Sequence, residues 1–124
     1  MTNRAPCILS IAYDKSLLLT REWILKAAGF NVTSVLGFAD AIAYCRSSAF
    51  DLVVMGHTVP RRDKQALVAE IQGHNHARIL SLRAFGEEPL PEADISVEAS
   101  EGPDALISAV RSTLAKRSAP ETGS

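Results

Sequence analysis

Residues 52–60 read Leu52-Val53-Val54-Met55-Gly56-His57-Thr58-Val59-Pro60. The apolar run Leu52 to Met55 has no polar interruption, as expected of a strand in a parallel sheet covered on both sides. It stops at Gly56, and Pro60 lies just beyond the loop. Open α/β sheets bind ligands and do chemistry at the carboxyl ends of their strands. The last side chain of this strand is therefore expected at a functional mouth, and it is a hydrogen atom.

On either side of this run, apolar strands alternate with amphipathic helices. Upstream, Cys7-Ile8-Leu9-Ser10-Ile11-Ala12 reads as a buried strand. Asp14 or Ser16 can cap the helix that follows, because their oxygens accept from its free N–H groups. Leu17, Leu18, Arg21, Ile24, Leu25 and Ala28 recur at helical spacing, and Gly29 is a good C-terminal stop. Asn31 to Val35 alternates like a short strand. Gly37-Phe38-Ala39-Asp40 opens a second helix with Ala41, Ile42 and Cys45 inward.

Downstream, Asp63 lies near the start of a third helix whose inner residues are Leu67, Val68 and Ile71, and Gly73 to His76 is expected to turn. Arg78 to Leu82 is a fourth strand and Asp94 to Val97 a weaker fifth, expected at an edge. Between them, Gly86, Pro89 and Pro91 leave room for about one helical turn at most, so a helix there is expected to be short or missing. Pro103 suits the first position of a last helix, whose apolar stripe is Leu106, Ile107, Val110 and Leu114.

The chain has 124 residues, 47% of them hydrophobic, enough for one domain with a core. We expect that domain over residues 1–117 and a disordered polar tail over 118–124. A net charge of −1 with no basic stretch argues against nucleic acid and anionic membrane as partners. No apolar run approaches transmembrane length, and the N-terminus lacks the apolar stretch of a signal peptide. Cys7 and Cys45 match no metal or redox spacing and read as reduced, half-buried thiols. A cytoplasmic protein is the expectation.

Strict alternation of strands and crossovers implies a parallel three-layer α/β/α fold, of which the flavodoxin-like order 2-1-3-4-5 is the natural form. Its switch point, between the first and third strands, is framed by Ala12-Tyr13-Asp14 and Gly56-His57-Thr58. Over about Pro6 to Lys116 the pattern resembles a response-regulator receiver (CheY-like) domain. The resemblance rests on Ile8 to Asp14 with Arg21, Gly29-Phe30, Asp51 to Gly56 with Pro60 and Asp63, Ala93-Asp94, and Pro103-Asp104.

Receivers take a phosphoryl group on an aspartate ending strand 3. An acidic pair after strand 1 holds Mg²⁺, and a hydroxyl after strand 4 and a lysine after strand 5 contact the phosphoryl oxygens. Carried over residue by residue, the acceptor falls on Gly56. The acidic pair falls on Ala12 and Tyr13, the hydroxyl on Arg83 and the lysine on Ala99. None of these five positions matches. Asp14 is the one carboxylate nearby, and one carboxylate does not make a Mg²⁺ site. The resemblance therefore implies a degenerate receiver, a pseudo-receiver, with no aspartyl phosphate at the usual place.

Other residues invite functional readings beside plainer ones. His57 could act as a general base with Asp14 as its orienting partner, or be a loop histidine bonded locally. Arg83 could pair with Asp14 and plug the emptied pocket, or point outward to an anion. Arg61-Arg62-Asp63-Lys64 reads as a solvated helix entry, with an acidic-partner contact as the alternative. His74 and His76 read as exposed turn residues. Trp23 is expected to pack partly in the core, and its exposure would instead mark a protein contact.

No Gly-rich phosphate loop follows the first strand, where Tyr13-Asp14-Lys15-Ser16 stands, so no flavin, dinucleotide or other cofactor is expected. The reading is a phosphorylation-independent interaction module of bacterial signal transduction, not an enzyme. Its expected partner is another signalling protein, with homodimerisation through the last strand and helix as a possibility. Nothing after Ser124 supplies an output domain, so output is expected through another chain. The alternative is a small-ligand or anion-binding module using the switch-point pocket.

Overall fold

The computed structural model describes residues 5–74 and 76–116. The expected tail over residues 118–124 and Asn75 of the expected turn lie outside them. Five parallel strands form one sheet in the order β2-β1-β3-β4-β5: β1 Cys7–Ala12, β2 Asn31–Leu36, β3 Leu52–Met55, β4 Arg78–Arg83 and β5 Ile95–Glu98. Four helices cover it: α1 Lys15–Ala27, α2 Phe38–Ser47, α3 Arg61–His74 and α4 Pro103–Lys116. The connection from β4 to β5 has no helix, as its prolines require. It turns at residues 84–87, where the Glu87 N–H donates to the Ala84 carbonyl at 3.0 Å.

Strand alternation divides the core in two. Leu9, Ile11, Val53, Met55 and Ile79 pack with Ala41, Cys45, Leu67, Val68 and Ile71 under α2 and α3. Ile8, Leu52, Val54, Leu80 and Leu82 pack with Leu25, Leu106 and Val110 under α1 and α4. β3, the central strand, is fully buried, which is why its residues read as an unbroken apolar run. Register matches Ile11 with Met55 and Met55 with Ser81, so the C-terminal ends of β1, β3 and β4 lie side by side.

Several local expectations are corrected. The stretch from Gly73 is not a turn at its start, since α3 runs on to His74. Cys45 is wholly buried rather than half-buried. Trp23 does not pack in the core: it is 76% exposed, because Leu18, Arg21 and Leu25 take the inward positions of α1.

Candidate functional site: the C-terminal corner of the sheet

Each position named from sequence can now be placed, beginning at the end of β3. Gly56 donates its N–H to the Ile11 carbonyl at 2.8 Å, which holds the end of β3 tightly against β1. A β-carbon built there would stand 2.7 Å from Arg21 Nη1 and 2.9 Å from the Ile11 oxygen. Both contacts are too close for a carbon unless something shifts, and the Ile11 oxygen is backbone, so glycine is favoured by space and not by backbone angle. The atom occupying the space is the guanidinium of Arg21, reaching in from α1.

Arg21 is 7% exposed. Its Nη2 lies 2.9 Å from His57 Nδ1, while its Nη1 is buried with no hydrogen-bond partner. Arginine only donates, so His57 Nδ1 must accept, and the neutral imidazole carries its proton on Nε2. Burial pulls the Arg21 pKa below its ordinary value, opposed by the field of Asp14. Burial also lowers that of His57, helped by the charges of Arg21 and Lys64 and opposed by Glu87 and Asp14.

Asp14 is an exposed helix cap. Its Oδ1 accepts from the Leu17 N–H at 3.1 Å, and its backbone is extended, as an N-cap requires. It makes no hydrogen bond to His57, so the alternative of a His57–Asp14 base and orienter does not form; the histidine's partner is Arg21. Ala12 is fully buried at the end of β1. Tyr13 turns toward α3: its hydroxyl donates to Asp63 Oδ2 at 2.7 Å and its N–H to Thr58 Oγ1 at 2.8 Å. Burial, then the bond to Asp63, pushes the Tyr13 pKa up, so the phenol stays protonated.

Arg83 does not reach Asp14. Its Nη1 meets the Glu87 carbonyl at 3.1 Å and Glu98 Oε2 at 3.4 Å. The expected Arg83 plug is therefore corrected, and Arg21 is the residue against Gly56. Ala99 begins a single 3₁₀ turn, Ala99–Glu101, too short a side chain to reach the corner as a lysine would.

The Arg61 to Lys64 segment is solvated only in part: Arg62 is exposed, Arg61 and Asp63 are half-buried and Lys64 is buried. Lys64 is 1% exposed, its Nζ donating to Ser81 Oγ at 2.9 Å and to the Leu82 carbonyl at 2.7 Å. Burial lowers its pKa, with Glu87 opposing. Arg61 is tied to the Glu88 and Pro89 carbonyls, at 3.1 Å each, holding the helix-free connection against α3. Sequence reasoning missed Lys64 as a core residue, yet the signal was present: 64, 67, 68 and 71 share one helical face. Cys45, on the α2 face, has its thiol pKa pushed up to about 11 by burial.

The arrangement inverts the charge of a metal-binding corner. Two buried cations, Arg21 and Lys64, converge on the ends of β3 and β4, while Asp14 caps a helix and Asp63 is bonded to the Tyr13 hydroxyl. A divalent cation needs several hard oxygen donors. Ala12 and Tyr13 supply no carboxylate, and no described group of His, Cys, Asp or Glu is placed to hold a metal ion. The donor set does not fit Mg²⁺. No helix among the described residues is long and apolar enough to cross a membrane.

No family model matches the chain, and no curated protein matches it. Solved structures do. The N-terminal domain of a response regulator/sensory box/GGDEF three-domain protein from Carboxydothermus hydrogenoformans superposes with a TM-score of 0.80 at 22% identity, covering 91% of this chain and 97% of that one. The signal receiver domain of a Luxo repressor protein from Vibrio parahaemolyticus gives 0.79 at 19%, over 91% and 92%. The receiver domain of a sensor histidine kinase from Pseudomonas aeruginosa, with magnesium coordinated in its active-site cleft, gives 0.77 at 16%, over 90% and 99%. At these identities the likeness is one of fold, and the chain carries the fold of response-regulator receiver domains without a helix between β4 and β5.

Proposed function

We infer that the chain is a signalling module that docks another protein and takes up no phosphoryl group. The observation that carries this reading is the guanidinium of Arg21 standing where a side chain at residue 56 would begin. An aspartate at residue 56 would meet Arg21 Nη1 and the Ile11 carbonyl, and would find no group of carboxylates to hold a metal ion among the described residues. The receiver fold supports a role in signal transduction. Trp23, 76% exposed, with Leu19, 54% exposed, one turn earlier on α1, supports a protein contact, since exposed aromatic residues anchor interfaces.

A catalytic reading of His57 loses its support. The imidazole faces a cation, not a carboxylate that would raise its basicity, and burial favours its neutral form. A ligand seated in the crevice between β1 and β3 is likewise disfavoured, because Arg21 and His57 close on each other there.

Incubation with Mg²⁺ and acetyl phosphate, followed by intact-mass measurement, tests the first half of the reading. We expect the mass to stay unchanged. A stoichiometric phosphoryl adduct, lost in mild base, overturns it. For the second half, a partner retained by the wild-type chain should be released by Trp23→Ala and Leu19→Ala; retention by both variants would place the contact elsewhere.

A further inference from the structure

The sheet has two edges, and they differ. β5 has four residues and ends in a charged one, Glu98. β2 has six residues, Asn31-Val32-Thr33-Ser34-Val35-Leu36, with no charge, no proline and no bulge in its register with β1. An open edge is a template for pairing with another chain, and native proteins blunt it with charges, prolines, bulges or short length. β5 is blunted by length and charge. β2 is blunted by none of these, and among the described residues no strand pairs with its outer side.

The free backbone groups of β2 are fixed in direction. The Asn31 N–H donates to the Pro6 carbonyl at 3.0 Å and the Gly37 N–H to the Ala12 carbonyl at 3.2 Å. Backbone groups alternate in direction along a strand, so the odd-numbered residues bond inward to β1. Val32, Ser34 and Leu36 therefore turn both N–H and C=O outward. In an antiparallel pair, residues that exchange both hydrogen bonds recur at every second position. A two-fold axis at Ser34 meets that requirement with this strand alone. Ser34 then faces Ser34 of a second copy, Val32 faces its Leu36, and no like charges oppose each other along the strand.

The helices beside the edge carry matching apolar groups. Two residues along a helix are about 200° apart, on opposite sides. On α1, Leu17 lines the gap toward α4, so Leu19 turns away from α4, to the β2 edge, with Trp23 one turn further on. On α2, Arg46 is bonded to Glu70 of α3, so Tyr44 turns away from α3, to the same edge. Leu19, Trp23 and Tyr44 are exposed, and so is Leu36 at the end of the strand. Glu22 lies against Ser34 and brings its own counter-ion, Lys26 at 2.8 Å, so two copies of it do not meet as bare charges.

We propose that two copies of this chain join at β2, antiparallel about a two-fold axis at Ser34, into one continuous sheet with α1 beside α1 on one face and α2 beside α2 on the other. An isologous contact of this kind closes on itself, because the same patch serves both copies. A lone extended peptide could add to the edge, but it would leave Leu19, Trp23 and Tyr44 in water. A second copy brings a helix at the matching height on each face. The inference rests on the docking reading of α1 above and names its partner.

Sedimentation equilibrium over a dilution series is the test, with amide hydrogen exchange alongside it. The wild-type chain should show twice the mass of one chain at high concentration. Exchange at the Val32, Ser34 and Leu36 amides should speed up by about tenfold or more on dilution to the monomer. Ser34→Pro should give a single-chain mass, because it removes the N–H at the axis, and an outward N–H on an edge strand is where proline is tolerated. Trp23→Ala and Leu19→Ala should each weaken association by about tenfold or more. A single-chain mass for the wild type at every concentration up to about 1 mM overturns the inference alone and leaves the edge to another occupant, such as a peptide from a different protein. Doubled mass in Ser34→Pro also overturns it, by placing the contact elsewhere. Dimers of Trp23→Ala and Leu19→Ala as tight as the wild type overturn it together with the docking reading of α1. Should Ser34→Pro not fold, the wild-type exchange at the three outward amides decides: rates unchanged by dilution overturn the pairing.

Discussion

The two faces of the sheet are built by different rules. Under α2 and α3 the core is apolar, and two polar groups buried at its upper end find partners: Lys64 in Ser81 and Leu82, Tyr13 in Asp63. Under α1 and α4 the core is smaller, has a cavity of about 160 Å³ beside it, lined by Leu82, Val97 and Leu106 among others, and holds buried polar atoms without partners. Ser10 Oγ falls on this face by strand alternation and Arg21 Nη1 by its place on α1, while Arg83 Nε is buried without a partner on the other face. A native interior tolerates few such orphans.

Truncating one leucine on each side is the strongest way to break that contrast. Leu67 of α3 is fully buried among apolar neighbours, and Leu67→Ala should cost about 3–5 kcal/mol by leaving a cavity that cannot collapse. Leu106 of α4 is 5% exposed and borders an existing cavity, so Leu106→Ala should cost about 2 kcal/mol. Urea unfolding measures both. Equal losses would mean that the α1/α4 face is as tightly packed as the other, and the contrast would go.

Gly56 sits where the two regimes meet, and its substitution sharpens the argument. Gly56→Ala should destabilise by about 1–3 kcal/mol, since the added carbon meets Arg21 and the Ile11 carbonyl. The side chain can move aside and the backbone oxygen cannot. In an Arg21→Ala background the same substitution should therefore cost less, with a coupling of about 0.5–2 kcal/mol in a double-mutant cycle. Strict additivity would show that the backbone contact alone excludes a side chain, and Arg21 would lose its place in the account.

Most of the fold was legible in the sequence for a simple reason: burial on both faces of β3 leaves an unbroken apolar run, and burial on one face of a helix leaves a period. The missing helix was legible because Pro89 and Pro91 act through local sterics. The corner was not. Periodicity places Arg21 and Lys64 on inward faces but cannot say what a long cation finds there. A guanidinium against a glycine and an ammonium on a strand carbonyl are contacts between distant segments, and such pairs leave no spacing signal. Arg83 was the nearer cation to the pocket along its strand, yet its partner is Glu98 on the neighbouring strand, a pairing that depends on register. Trp23 failed differently: Arg21 takes the inward position that a large apolar residue would be expected to hold.

A smaller effect comes from pH. The histidine at the corner has its pKa lowered, mainly by burial, with Arg21 and Lys64 adding to the shift and Glu87 and Asp14 opposing it. A base whose folded pKa lies below its ordinary value of 6.5 binds a proton more readily when unfolded. Stability is therefore full above pH 6.5 and declines as the pH falls through and below it. Protonation would place a second cation 2.9 Å from Arg21 Nη2 and destroy the acceptor at Nδ1. His57→Gln should flatten the decline between pH 6.5 and 5, read as the pH dependence of the urea midpoint. An unchanged slope would assign the titration to another group.

The smallest stability effect is expected at Trp23, and its smallness is the point. Trp23→Ala should change stability by no more than about 0.5 kcal/mol, because an exposed side chain leaves no cavity when it is removed. Truncation of a core aromatic residue would cost about 3–5 kcal/mol, so thermal unfolding separates the two cases without ambiguity. A near-zero change means that the indole makes no structural contribution large enough to account for its presence on a solvated helix face. Its apolar surface is then free for the protein contact proposed for α1. A loss of several kcal/mol would instead return Trp23 to a packing role and remove the main support for α1 as the docking helix.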